Sequence, residues 1–459
     1  MANVLRKPLS PAKLLCIIVG AVFLLILTAV GLLFLPIWDI GEPSFPALER
    51  PPRPVVADED NAYPILLGLG EVFKAPPKEL IDLLAPTADA PSEEELRQLK
   101  DYLDSQAPVL ATLRQALTRP YLLSPEVESY STIYPHVNVY LEVGGRFLSL
   151  RVYQALQEGD ASGALDTLRL HFQLANAVLE RPESLIEHLV GTALAASAYE
   201  NAWRVLRNPA MDPTLQEEIP SLFPSSSQLY DSLILGLRSE FNMQRGMVRQ
   251  IVSGEMRLKD FDDGSLAKPL QNLPIPKGPL FKPNKTLFLL GSRAVWYQEK
   301  IERMKVADFR PMPAFIEPTQ PRFERLDMEN AIGRIFYLII TPAMESTSQS
   351  VLKRIAEQDL LRLWLALRRY ERQQGRFPES LDALVPDFLD AIPLDPFDGK
   401  PLRYDAALKR IWSLGPDGRD EGGNPPQRSI DERGDLVFGA EGRILEARDS
   451  KTSSPPTVE

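Results

Sequence analysis

Residues 14–35 read LLCIIVGAVFLLILTAVGLLFL, an uncharged run in which Thr28 is the only hydroxyl. At about 1.5 Å per residue, a helix of that length crosses the ~30 Å hydrocarbon core of a bilayer. No other feature limits the fate of the chain as strongly. Arg6, Lys7 and Lys13 precede the run, and Asp39 and Glu42 follow it. The positive-inside bias therefore expects 1–13 as a cytoplasmic tail, 14–36 as a transmembrane helix, and everything beyond outside the cytoplasm. Trp38 then falls at the outer interface, where an aromatic is expected. A cleaved signal peptide would have an apolar core of about 7–15 residues and a small-x-small site. Here Pro36-Ile37-Trp38-Asp39 offers no such site. The expectation is a single-pass protein of a bacterial inner membrane, N-terminus in the cytoplasm, bulk periplasmic or extracellular.

Charge and cysteine usage agree with that location. The chain has 51 Lys+Arg against 62 Asp+Glu, a net −11, which argues against nucleic acid as a partner. Its one cysteine, Cys16, sits inside the apolar run. That excludes a disulfide framework and any Cys-rich metal site, and leaves the exported part indifferent to an oxidising compartment. The expected partners are the membrane, through the anchor, and other envelope proteins; the sequence does not fix an oligomeric state.

The exported part reads as mainly α. Residues 37–60 form a Pro-rich linker, a semi-rigid spacer off the membrane. A helical domain follows over 61–257, folded as an irregular helical bundle. Ile65, Leu66, Leu69 and Val72 share one face, and Ser92 with Glu95 has the spacing of a capping box. Two amphipathic helices meet at Glu158-Gly159-Asp160, with Gly159 suited to a left-handed C′ position and Asp160 or Ser162 to the next N-cap. The second repeats Leu165, Leu168, Phe172, Ala175 and Leu179 as a seam. An Ala-rich helix over about 184–206 offers Leu189, Ala193, Ala196 and Val205, and another helix spans about 225–255. Residues 258–343 form a Pro-rich connector containing one helix, about 286–305. Within it, 259–264 (Lys-Asp-Phe-Asp-Asp-Gly) fails the EF-hand pattern, because Gly comes one position early and Gln271 stands where a bidentate Glu is needed. It reads as a solvated loop.

Motifs of known catalytic mechanics are absent: there is no HExxH, no GxSxG, no Walker A loop and no GxGxxG opening a helix. His188 reads as a helix-surface imidazole and His171 as a hydrogen-bonded one beside the seam. No nucleophile or catalytic residue can be nominated. The expectation is a non-enzymatic scaffold or docking element of an envelope or secretion assembly. The alternative is an envelope hydrolase using paired carboxylates in a groove of the helical domain.

Residues 344–440 differ in pattern. A long helix over about 346–373 ends at Gly375, and Arg376-Phe377-Pro378 leads to a short helix over 380–385 with Ser380 as N-cap. Short β-prone runs at 401–404, 410–414 and 435–438 then read as a small antiparallel sheet, and 441–459 as a disordered tail. The order G-R-F-P, D-P-F-D-G-K-P-L-R-Y, S-L-G-P-D-G-R-D-E-G-G, D-L-V-F over about 355–438 resembles the globular domain of the major pseudopilins of type II secretion systems. The whole chain also looks like membrane-anchored helical proteins of the bacterial envelope that end in this same module. The resemblance implies a small α+β, pseudopilin-like module. Two features depart from that family: the cleavable leader with its fifth-position Glu is missing, and the anchor is separate from the module. The resemblance also implies a calcium loop after S-L-G. Asp417 matches the family's D-G aspartate, Leu414 would give a carbonyl, and Asp435 matches the aspartate before the final strand. Asp420 is an extra donor, and Leu436 stands where the family has a small hydroxyl residue. Taken alone, Pro416-Asp417-Gly418 reads equally as a plain type I turn, with Pro at i+1 and Gly at i+3, so calcium and turn stay open.

Overall fold

The computed structural model describes residues 21–26, 28, 39–85, 90–127, 134–208, 216–257, 260, 275, 281–307, 330–424, 434–439 and 442–443. Most of the 14–35 run lies outside them; 21–26 and 28 are helical. Among the described residues no helix is long and apolar enough to cross a membrane. The loop at 259–264 also falls outside them, apart from Asp260.

The architecture is mainly helical with a small C-terminal antiparallel sheet. Four helices open it: α1 (Tyr63–Val72), α2 (Lys78–Asp82), α3 (Glu93–Ser105) and α4 (Ala107–Ala116). In α3 the Ser92 hydroxyl accepts from Glu95 N–H while the Glu95 carboxylate accepts from Ser92 N–H, so the expected capping box forms. Leu99 and Leu103 behind it are fully buried. α5 (Pro135–Val139) runs through a π-helical stretch, Tyr140–Phe147, into α6 (Leu148–Gln157). Its Gly144 is required by close approach, since a Cβ there would lie 2.6 Å from Leu194. The Gly145 carbonyl accepts from Ser149 and Ser197 Oγ.

The expected hairpin is present. α7 (Ala161–Glu180) follows Gly159, whose φ is +73°, and Asp160 caps it by accepting from Gly163 N–H at 2.9 Å. α8 is Leu185–Arg207, α9 Ser226–Ser253, α10 Pro283–Lys305 and α11 Ala331–Gln374. α11 is continuous over 44 residues, so it crosses the sequence boundary expected between connector and module. After it come a single 3-10 turn, Leu381–Leu384, and the strands β1 (Arg403–Asp405), β2 (Arg410–Ser413) and β3 (Leu436–Gly439). They pair antiparallel in chain order, with Tyr404 opposite Ile411 and Ile411 opposite Phe438. Gly442–Arg443, in the expected tail, adds a two-residue fourth strand, β4, on β3.

Two large hydrophobic cores result. The first gathers α1, α3 and α4, the C-terminal end of α7 (Leu174, Leu179), the start of α8 (Leu185, Leu194), α9, α10, and α11 as far as Ile355. The second gathers the start of α7 (Leu165, Phe172), the end of α8 (Tyr199, Trp203), α11 from Ala356 to Leu367, and the sheet residues Ile411, Leu436 and Phe438. Trp203 forms the centre of the second core, 5.1 Å from the Trp364 ring and 5.0 Å from Phe438. Trp364 Nε1 donates to Gly439 O at 3.0 Å, tying helix to sheet. α7, α8 and α11 each pass through both cores.

Several sequence expectations need correcting. Val72 and Leu189, read as packing residues, are 61% and 39% exposed. The 39–60 segment is no free spacer over its described length. Phe45 stacks edge-on against Phe241 at 5.4 Å, Leu48 is fully buried, and Arg50 pairs with the buried Glu183 of the α7–α8 turn. Its first residue, Asp39, caps α10 from outside the helix, its carboxylate accepting from Asn284 N–H at 2.7 Å and Lys285 N–H at 3.0 Å. Those N–H groups have no partner within the helix, and a carboxylate satisfies both the donors and the dipole.

Candidate functional site

The sheet module holds the residues named for calcium. Its hub is a residue to which the sequence assigned no role, Asp395. Fully buried, Asp395 accepts from Phe397 N–H and Ser413 Oγ at 3.0 Å on Oδ1, and from Leu414 N–H at 2.9 Å and Arg403 on Oδ2. Arg403 also reaches Asp398 at 2.5 Å, so one guanidinium bridges two turns. Leu414 is buried, its N–H spent on Asp395.

The three aspartates do not converge as a set. Asp417 is exposed and accepts from Arg419 N–H at 3.2 Å, the geometry of an Asx turn. Asp420 accepts from Trp412 Nε1 at 3.0 Å and from Gly422 N–H at 2.9 Å. Asp435 is the buried member. Its Oδ2 accepts from Gly423 N–H at 2.9 Å, while Oδ1 is buried without a partner. Gly423 is there because its φ is +73° and a Cβ would meet the Trp412 ring at 2.9 Å. Burial pushes the Asp435 carboxyl up to about 7, with the charges of Glu421 and Asp420 adding and the Gly423 N–H opposing. Among the described residues, no three His, Cys, Asp or Glu side chains are gathered as a metal would need. Glu421 and Asp420 act on Asp435 through their charge, while Asp417 is turned to solvent in its own turn.

A second polar cluster lies inside the helical body, and sequence reading missed it. Glu187, in the first turn of α8, is 4% exposed. Its Oε1 takes hydrogen bonds from Ser124 Oγ at 2.5 Å and His136 Nε2 at 2.7 Å, and its Oε2 from Glu183 N–H at 2.7 Å. Tyr63, Tyr134 and Tyr140 ring the imidazole. Burial, with the Glu187 charge adding, raises the Tyr63 and Tyr140 phenols, which stay protonated. Glu183 beside it is neutralised by Arg50 and by Arg53 at 2.9 Å. Serine, carboxylate and histidine are all present, but in the wrong order for nucleophilic catalysis. Ser124 and His136 both engage the same carboxylate oxygen, so the imidazole is not placed to take the hydroxyl proton.

His188 is fully buried, contrary to the surface reading, with Nδ1 2.8 Å from Ser232 Oγ; burial brings it down to about 3. His171 is likewise buried and lowered to about 3, with Nδ1 3.3 Å from Asn201 Nδ2. Both are neutral at pH 7. Two surface pockets are small. One, of about 250 Å³, is lined by Arg119, Tyr121, Gln173, Asn176, Glu180 and Gln228 among others. The other, of about 300 Å³, lies around Phe45, Phe241 and Arg245. Neither lining contains a histidine or cysteine.

No protein-family model, curated protein or solved structure matches the chain. Function must therefore be argued from its own geometry.

Proposed function

We propose that the protein is a non-enzymatic element of the bacterial envelope, anchored through 14–35, whose exported body serves as a rigid scaffold or docking element of an envelope or secretion assembly. The observation that carries this reading is the passage of α7, α8 and α11 through both cores. A body built on three shared helices holds its sheet module at a fixed place relative to its anchor end, which suits a platform. The deeply buried acids and imidazoles support the same reading, since Glu183, Glu187, Asp395, His136, His171 and His188 are engaged in joining segments. The hydrolase alternative asked for paired carboxylates in a groove of the helical body. Among the described residues Glu183 and Glu187 lie close together, but both are buried, Glu183 paired with Arg50 and Arg53 and Glu187 hydrogen-bonded to His136 and Ser124. The resemblance to pseudopilins adds a calcium proposal for the module, in which Asp417, Asp420, Asp435 and the Leu414 carbonyl would hold the ion and close the loop onto β3.

Photo-cross-linking in native membranes tests the scaffold reading. A photoreactive residue at Leu408, exposed in the β1–β2 turn, is expected to yield a discrete adduct with an envelope protein. The same probe at other exposed module positions, Leu394 and Val385, extends the scan. Absence of any adduct at all three overturns it.

A further inference from the structure

We infer that the α11 face carrying Ile335 and Leu338 lies on the membrane surface, so that the head is seated on the bilayer rather than held away from it. This rests on the anchoring proposal. Asp39 is pinned to the first turn of α10 through two backbone hydrogen bonds, and Ile40 O accepts from Asn284 Nδ2 at 2.8 Å. Only Pro36, Ile37 and Trp38 separate that fixed point from the last residue of the apolar run. Four residue steps reach at most about 14 Å, which caps how far the start of α10 can stand from the end of the anchor.

α11 starts at the same end. Asn330, just before it, accepts from Lys282 N–H at 2.8 Å and Thr286 Oγ1 at 3.0 Å, so the first turns of α10 and α11 lie side by side. Farther along, Tyr297 of α10 donates to Glu345 of α11 at 2.5 Å, so the two helices run parallel away from that end. Ile335 and Leu338, three residues apart and hence on one face, are 53% and 56% exposed. Counted from Asn330, Leu338 is about 12 Å along the helix axis, little more than two turns from the anchor end. Phe288, one turn into α10, is 37% exposed at the same end. Large aliphatic side chains exposed this close to an anchor exit are best matched by the interfacial region of the lipid, which takes apolar side chains.

The test uses the full chain in vesicles of phosphatidylcholine and phosphatidylglycerol doped with nitroxide-bearing lipid. Three single-thiol forms carry one fluorophore each: native Cys16, Leu338→Cys with Cys16→Ser, and Leu408→Cys with Cys16→Ser. The Leu338 label is expected to be quenched several-fold more than the Leu408 label, with the Cys16 label quenched as well. Equal quenching at 338 and 408, with Cys16 quenched, overturns the inference and leaves anchoring intact. An unquenched Cys16 label overturns anchoring, and the inference with it. A Leu338 label shielded from lipid that self-quenches with rising protein density places a second copy on that face and also overturns it.

Discussion

Replacing Glu187 separates a structural from a catalytic role for the buried His136–Glu187–Ser124 cluster. Glu187→Leu leaves His136, Ser124 Oγ and Glu183 N–H without their acceptor in a site that water does not reach. A buried donor left without its acceptor costs about 1–3 kcal/mol, and three such donors, partly relaxed, cost about 3–5 kcal/mol together. At the ~2–4 °C per kcal/mol typical of domains of 150–250 residues, the melting temperature falls by about 6–20 °C. Glu187→Gln keeps the shape and one acceptor oxygen, but sets an amide NH2 against a donor. It loses one charge-assisted bond, about 1.5–3 kcal/mol. Adding His136→Phe to Glu187→Leu replaces the hydrogen-bonded pair by apolar groups and recovers part of the loss, because the imidazole N–H is no longer a buried donor without an acceptor. The assay is thermal and urea unfolding of the full chain in detergent, followed by circular dichroism at ~222 nm, where the helices of this fold report. A Glu187→Leu variant within about 0.5 kcal/mol of the parent, or a double variant no more stable than the single, refutes the structural reading.

The Asp435 carboxyl is raised from 3.8 to about 7, so its contribution is complete below pH 3.8 and is lost as pH rises through about 7. In chelator the full chain is therefore expected to lose stability across that window, and Asp435→Asn to flatten the profile; an unchanged profile in Asp435→Asn counts against the assignment. His171 and His188 act in the opposite sense. Lowered from 6.5 to about 3, each contributes stability that is present above pH 6.5 and lost as pH falls towards 3, and His188→Gln is expected to reduce the acid sensitivity measured by urea titration. If calcium binds the module, the full chain melts higher in calcium than in chelator. Binding to the folded state alone contributes about 2.7 kcal/mol at a hundredfold excess over Kd. Asp417→Ala or Asp435→Asn should abolish the difference; equal melting in both buffers sinks the calcium proposal.

Local signals were legible in the sequence. The Ser92 capping box, the Gly159 and Asp160 caps and the three β-prone runs each depend on residues within a few positions of one another. What escaped reading depends on partners far away in the chain. α8 exposes Ile186, Leu189 and Ala193 along one stripe while burying Glu187 and His188, so polarity does not say which of its residues point inward. The long helix expected over about 346–373 starts fifteen residues earlier, at Ala331, where Asn330 is held against α10. Five prolines in 39–60 read as a spacer, and Phe45, Arg50 and Asp39 turned it into a strap through contacts with α9, Glu183 and α10. In the loop after Ser413-Leu414-Gly415, Asp417 and Asp435 were both named by motif position, but only Asp435 is buried, a property the motif does not encode.

The sharing of α11 between two cores has a consequence for how the chain can change by insertion or deletion. Val351, Leu352 and Ile355 serve one core, and Ala356, Leu360 and Trp364 the other, on a single uninterrupted helix. Each residue added or removed between those sets turns one core's contact face by about 100° about the axis relative to the other and shifts it by about 1.5 Å. A one-residue deletion there would aim Trp364 away from Trp203, however well each half could fold by itself. Length variation is thus confined to the loops, and α11 behaves as a phase-locked shaft whose angular register is as much a part of the fold as any side chain.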